Sequence, residues 1–409
     1  MAIHLVQRSG GDSASQEVVA EAVESSTTTT TTSSTTTTTT TTVPPEEEAI
    51  AEVLAELDDA TLARQLVIVG VDGPNPAAQI ADALTDTCLG GVFITSSFGN
   101  FAPASSLAAA AEAIADVSAV PDDCVAAPVI ATDAEAGTTV LRVPVSPLLA
   151  PTALAEQYQG DPVATLDQLS SAADGFAAEL ADVGVHVNFG VVGDVDVADT
   201  YYMARRGRTF GGDPDAVTAL TQTLVASHCR AGVAATLKHF PNQGSTPEDP
   251  HQADSFSTND RQAWESFGAL PYRDTDAPLV MVGHIRYSDM EDATPATLSS
   301  TIVTGWLRTG LGYDGVVVTD DLSSMVGVGN LPVGERAVAA LRAGSDLALL
   351  VDLTDIPEVL AAIEAELAAD PGFAAQAMTS FERVLRLKAA LGLVPTIDSD
   401  WVELCPAAG

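Results

Sequence analysis

Positive charge is scarce in this chain: 409 residues carry 17 Lys and Arg against 56 Asp and Glu, a formal net charge of −39. Such a surface repels phosphate backbones and anionic lipid, so nucleic acid and membrane surfaces are not expected partners. It also suits a salty medium, where counterions screen self-repulsion. Long apolar runs are missing too. None approaches the ~20 residues a membrane span needs, and residues 1–24 hold no apolar core of the kind a signal peptide carries. Cysteine is limited to Cys88, Cys124, Cys229 and Cys405, with no C-x-x-C or similar spacing, so no metal site is expected. The even count permits two disulfides in an exported protein; buried free thiols are the alternative.

Apolar residues, by contrast, make up 46% of the chain, ample for a large core. A Ser/Thr run from Ser25 to Thr42, followed by Val43-Pro44-Pro45, cannot bury enough surface to offset its ordering entropy. Residues 1–45 are therefore expected to be a disordered tail and linker. Tethers of this kind usually separate an export signal or anchor from a catalytic domain. Export is the expectation, with the signal lying outside this chain; a cytoplasmic protein with a dispensable tail is the alternative.

Beyond the linker, Glu46–Leu62 reads as an amphipathic helix closing one end of the fold. Short β-branched runs follow at Leu66–Val71, Gly91–Thr95, Pro128–Thr132, Val185–Phe189, Val233–Leu237, Leu279–Gly283, Gly315–Thr319 and Asp346–Val351. Ala/Leu-rich stretches with helical spacing separate most of them, such as Asp213–Arg230 and Val333–Ala343. Two more, Ile356–Ala369 and Gly372–Leu391, finish the fold. Buried strands alternating with helices predict an α/β protein, a (β/α)₈ TIM-type barrel forming one catalytic domain over residues 46–395, with a tail at 396–409.

Function in such a barrel belongs at the C-terminal ends of the strands. Asp133 and Glu135 follow the third run, Lys238 and His239 the fifth, His284 the sixth, and Asp320 and Asp321 the seventh. One such residue would more often be a helix cap or a turn; a ring of them from separate strands points to a pocket. In Val316-Val317-Val318-Thr319-Asp320-Asp321-Leu322 a carboxylate stands where an apolar strand opens. Either Asp can cap the next helix while the other faces the pocket. Downstream of Lys238-His239-Phe240-Pro241-Asn242-Gln243-Gly244 comes Asp249-Pro250-His251. An Asp two residues before a His can orient the imidazole and stabilise its protonated form, and a histidine can donate a proton and later take one near neutrality. Pro250 stiffens the pair.

With these segments in view, the chain resembles glycoside hydrolase family 3, in the form of the bacterial single-domain β-N-acetylglucosaminidases (β-N-acetylhexosaminidases). The resemblance runs from about Ala60 to Leu393. It rests on Asp133-Ala134-Glu135-Ala136-Gly137, Val187-Asn188-Phe189, Arg208-Thr209-Phe210-Gly211, Lys238-His239-Phe240-Pro241, Pro295-Ala296-Thr297-Leu298-Ser299 and Gly315–Leu322, in the family's order. The resemblance implies a retaining exo-hydrolase acting on terminal β-linked N-acetylglucosamine of peptidoglycan or chitin-type oligosaccharides. It makes Asp320 the nucleophile, His251 the acid/base and Asp249 its partner, while Asp133, Arg208, Lys238 and His239 hold the sugar's hydroxyls. It implies a carbohydrate partner, no cofactor and no metal; a monomer is expected.

Departures from the family pattern cluster near the dyad. Asn242-Gln243-Gly244 stands where the family usually has Gly-His-Gly, Pro250 where it has Ser, and Ala134 and Ala136 where it has Gln and Gly. Losing a glycine and gaining a proline narrows the backbone's range, so the acid/base loop is expected to move less or sit differently. A β-glucosidase or other exo-glycosidase of the same family is the rival enzyme, but those usually take a Glu acid/base from a later domain. A barrel that binds cell-wall glycan without catalysis is the rival outside enzymes, and it predicts loss of Asp320 or His251. A metal-dependent barrel hydrolase needs His-x-His after the first strand, where this chain has Val71-Asp72-Gly73.

Overall fold

The computed structural model describes residues 45–71, 88–95, 124–288, 294–397 and 399–405. The expected tail and Thr-rich linker, up to residue 44, lie outside the described residues. In chain order the strands are β1 (Val67–Val71), β2 (Gly91–Ile94), β3 (Val129–Thr132), β4 (Val187–Val192), β5 (Ala234–Phe240), β6 (Phe256–Ser257), β7 (Leu279–Val282), β8 (Arg286–Tyr287), β9 (Val316–Thr319) and β10 (Ala348–Leu350). Eight of them form one sheet in the order β10-β1-β2-β3-β4-β5-β7-β9, with every pair parallel. The β9–β10 seam is crossed by a parallel bridge between Val318 and Leu347 and by Leu349 N donating to Thr319 Oγ1 at 2.9 Å. This is the expected (β/α)₈ barrel.

Each barrel strand is buried along its whole length. That is why the strands read as unbroken apolar runs: one face lines the barrel interior while helices cover the other. Three of the covering helices begin at Asp-Pro. Asp161, Asp213 and Asp370 each accept a hydrogen bond from an N–H of the first turn, and the following proline supplies a preset φ.

Several boundaries differ from the sequence expectation. The stretch Glu46–Leu62 is two helices, Pro45–Glu56 and Asp59–Gln65, because Asp58 breaks the run and caps the second one through Thr61 N at 2.7 Å. Strand β5 runs on to Phe240, so Lys238 and His239 are inside it rather than after it. The short strands β6 and β8 pair beside the barrel, a contact between distant segments that local periodicity does not encode. Disulfides join Cys88 to Cys124 and Cys229 to Cys405. The second ties the short helix Trp401–Leu404 back to the helix Pro214–Arg230, where Trp401 Nε1 also donates to Cys229 O at 2.8 Å. Among the described residues no helix is long and apolar enough to cross a membrane.

Candidate active site

The loop after β3 is held by its neighbour strand. Asn188 in β4 accepts from Ala134 N at 3.0 Å and donates to Ala134 O at 2.9 Å, clamping the peptide between Asp133 and Glu135. Its amide nitrogen also lies 2.9 Å from His228 Nε2, whose Nδ1 lies 2.7 Å from Leu224 O. That arrangement puts the proton on Nδ1 and leaves Nε2 as acceptor, matching a buried imidazole pushed down to about 4 by burial. Gly190 permits the approach, because a Cβ there would overlap the Ala134 carbonyl oxygen.

The clamp sets two carboxylates against two cations. Glu135 takes Arg208 in a bidentate fork, Nη2 at 2.7 Å and Nε at 2.9 Å, and Lys238 Nζ at 2.8 Å. Lys238 reaches Asp133 as well, at 2.7 Å. Burial alone would raise the Glu135 carboxyl, but Arg208 and Lys238 hold it down at about 2. The Lys238 amine is raised above its usual value in turn: burial works against its charge, and Asp133 and Glu135 outweigh it. Arg208, Lys238 and Asp133 line the pocket, whereas Glu135 sits behind them, buried.

His239 is fixed from the loop after β4, its Nδ1 lying 2.7 Å from Asp194 Oδ2. Asp194 Oδ1 accepts from Gln243 N at 2.5 Å and more weakly from His239 N at 3.3 Å. Asn242, where the family usually has glycine, has a definite task. It accepts from Val195 N and donates to Val195 O, both at 2.9 Å, stitching the β5 loop to the β4 loop.

The same loop then carries the dyad. His251 Nδ1 and His251 N lie 2.8 Å and 3.0 Å from Asp249 Oδ1, and Gln252 Nε2 donates to Asp249 Oδ2 at 3.0 Å. Pro250 O accepts from Gly327 N at 3.0 Å, anchoring the loop to the turn after β9. The His251 side chain is 52% exposed and lines the pocket, with no partner on Nε2 among the described residues.

Across the mouth, the paired carboxylates after β9 divide their work. Asp321 accepts from Ser323 N, Ser324 N, Ser324 Oγ and Val351 N, so it caps the turn. Asp320 lines the pocket, and its Oδ1 accepts from Asp321 N at 2.8 Å. Burial would raise the Asp320 carboxyl, but His284, His239 and His251, together with the Asp321 N–H, hold it down at about 2. His284 is buried between Asp321 O and Thr297 Oγ1, each 2.8 Å away. Burial lowers its imidazole below the ordinary value against the pull of Asp320.

All seven residues singled out from the sequence (Asp133, Arg208, Lys238, His239, Asp249, His251 and Asp320) line one pocket of ≈ 490 Å³ at the C-terminal ends of the strands. Of the carboxylates lining it, Asp133 is paired with Lys238, Asp249 with His251, and Asp321 with the turn. Among the described residues Asp320 makes no ion pair, and the Asp321 N–H is its one hydrogen-bond donor. The sequence reading gave no role to Glu135, Asp194 or Asn188. Asp194 carries the same signal as Asp320, a carboxylate just past an apolar strand. Glu135 and Asn188 lie inside motifs already noted, but what each one holds is a matter of three-dimensional contact.

Residues 59–387 match the family model described as glycosyl hydrolase family 3 N terminal domain. A beta-hexosaminidase of Alkalilimnicola ehrlichii is 31% identical over 299 residues, covering 72% of this chain and 83% of that protein. Beta-hexosaminidase LpqI of Mycobacterium tuberculosis is 35% identical over 215 residues, covering 50% of this chain and 54% of LpqI, so that match spans about half the relative's length. Among solved structures, a beta-N-acetylhexosaminidase from Beutenbergia cavernae superposes with a TM-score of 0.70 at 30% identity, covering 82% of this chain and 99% of that one. LpqI superposes with a TM-score of 0.69 at 28% identity, covering 83% and 96%.

Proposed function

Because this chain belongs to glycosyl hydrolase family 3, we propose that it is a retaining exo-glycoside hydrolase releasing terminal β-linked N-acetylglucosamine from peptidoglycan or chitin-type oligosaccharides. Its relatives named beta-hexosaminidase support that sugar. One observation carries the mechanism: the uncommitted carboxylate, Asp320, shares its pocket with a half-exposed imidazole backed by a carboxylate.

Asp133, Arg208, Lys238 and His239 hold the sugar's hydroxyls through charge-assisted hydrogen bonds. Asp320, ionised at neutral pH, attacks the anomeric carbon and forms a covalent ester while the C–O bond to the leaving group breaks. Protonated His251 gives its Nε2 proton to the departing oxygen, and Asp249 stabilises the imidazolium until then. Neutral His251 next takes a proton from water, whose oxygen attacks the anomeric carbon and frees Asp320. The sugar leaves with its original configuration, and His251 is protonated for the next cycle.

The catalytic unit of this reading is residues 46–395, with residues 1–45 as its tether. It is proposed to act as a monomer. The two disulfides support passage through an oxidising compartment, and so export. The test is a panel of aryl β-glycosides differing in the sugar. The N-acetylglucosaminide should be turned over best, and Asp320→Ala should lose that turnover. A slow fluorosugar inactivator should add its mass to the peptide containing Asp320. An active Asp320→Ala variant sinks the mechanism.

A further inference from the structure

Behind the sugar-holding arginine lies a thioether with two donors on it. Met203 belongs to the four-residue helix Tyr202–Arg205 in the loop after β4 and is fully buried. Its Sδ lies 3.5 Å from Arg208 Nη1 and 3.5 Å from Gln243 Nε2. A buried methionine is more often plain filling, and leucine would fill the space as well. Two nitrogens converging on the sulfur make it an acceptor here.

The geometry of Arg208 shows what that acceptor adds. Nε and Nη2, one edge of the planar guanidinium, are forked on Glu135 at 2.9 Å and 2.7 Å. A fork on one edge leaves the plane free to rock about that edge. Nη1 is the opposite corner, and it donates to Met203 Sδ. A thioether is a weak, uncharged acceptor, so it steadies the corner without neutralising the charge that meets the sugar. The sulfur is itself fixed from elsewhere. Gln243 N donates to Asp194 Oδ1 at 2.5 Å, and the other oxygen of that carboxylate lies 2.7 Å from His239 Nδ1. The helix carrying Met203 is fastened to the same β5 loop, Tyr202 N donating to Thr246 O at 3.4 Å and Arg205 Nη2 to Pro247 O at 3.3 Å.

One buried side chain thus joins the Glu135–Arg208 pair to the Asp194–His239 pair, and Arg208 and His239 both line the pocket. We propose that Met203 is a positioning residue for the hydrolysis: its sulfur is the third fixed point of Arg208 and sets that guanidinium against His239 around the sugar. The inference rests on the hydrolase reading and adds to it a residue that acts from behind the pocket wall.

Met203→Leu keeps bulk and burial but offers no acceptor. Its urea midpoint should stay at the wild-type value while kcat/KM for an aryl N-acetylglucosaminide falls about fivefold, the worth of one ordinary hydrogen bond. The same substitution in an Arg208→Lys background, where the corner nitrogen is gone, should cost nothing further. A merely structural role predicts a lowered midpoint and equal losses in both backgrounds. Gln243→Leu frees the sulfur from its other donor. It should lower kcat/KM about twofold to threefold but not in Arg208→Lys, and it carries the test if Met203→Leu fails to fold. An undiminished kcat/KM, or a loss of the same size with and without Arg208, overturns the proposal. Wild-type turnover of the glycoside tests the hydrolase reading separately: no turnover sinks that reading, whereas turnover untouched by either substitution sinks only the role of Met203.

Discussion

Replacing Glu135 by Gln removes one negative charge from between two buried cations while nearly keeping the side chain's shape. The carboxyl is held at about 2 against an ordinary 4.5; at about 1.4 kcal/mol per pH unit, that shift is worth about 3 kcal/mol of stability at neutral pH. The figure agrees with the roughly 3–5 kcal/mol expected when a buried ion pair loses one partner. Because the folded-state value is depressed, this contribution is whole above pH 4.5 and is lost as the pH falls through about 2. Urea unfolding of wild type and Glu135→Gln should therefore differ by about 3 kcal/mol at pH 7, and the gap should narrow steadily as pH is lowered from 5 towards 3. Catalysis reports the same event, because Arg208 and Lys238 lose the group that aims them, so kcat/KM should fall at least tenfold. A gap under about 1 kcal/mol at pH 7, or one that does not change with pH, would refute the reasoning.

Three further outcomes are expected. His251→Ala should lower kcat/KM for glycosides with poor leaving groups by roughly 10²–10⁴-fold and barely change kcat/KM for dinitrophenyl-type leaving groups, whose departure needs no proton, while kcat falls for both because His251 also activates the water; a plot of kcat/KM against leaving-group acidity checks this. Asn188→Ala orphans both polar groups of the Ala134 peptide and leaves a void, so it should cost about 2–4 kcal/mol in chemical unfolding and weaken sugar binding. Lys388, buried with its amine 2.6 Å from Gln65 Oε1, is pushed down by burial to about 7 from 10.5. The unfolded chain binds that proton between these values and the folded chain does not, so wild-type stability should rise with pH across this window. Lys388→Met should gain on the order of 2 kcal/mol at pH 7, a gain that shrinks towards pH 10 in paired unfolding curves.

Much of the fold was legible because its cause is local. A strand buried on both faces must be apolar throughout, and an Asp-Pro start announces a helix, so strand positions such as Val316–Thr319 and Leu279–Val282 could be read directly. Where competing local signals met, boundaries shifted: Asp58 split one amphipathic stretch into two helices. The β6–β8 pair escaped, because two-residue strands far apart in the chain carry no periodicity. The pairing of cysteines escaped for the same reason, since spacing alone does not say which sulfurs meet.

For the site, the sequence by itself determined the chemical inventory: a carboxylate at the end of an apolar strand, an Asp-Pro-His unit, and Lys238-His239 beside them. The strand-end rule placed them on one face, since alternating β and α segments leave every βα loop at the same end of a barrel. Tertiary structure decided which of these groups is left uncommitted in the pocket. Asp320 and Asp321 are equivalent in sequence, yet one caps a turn and the other faces the pocket. Likewise Glu135 and Asp133 both meet Lys238, but only Glu135 is enclosed behind it. A carboxylate's reactivity depends on which donors and cations surround it, and those arrive from strands far away in the chain.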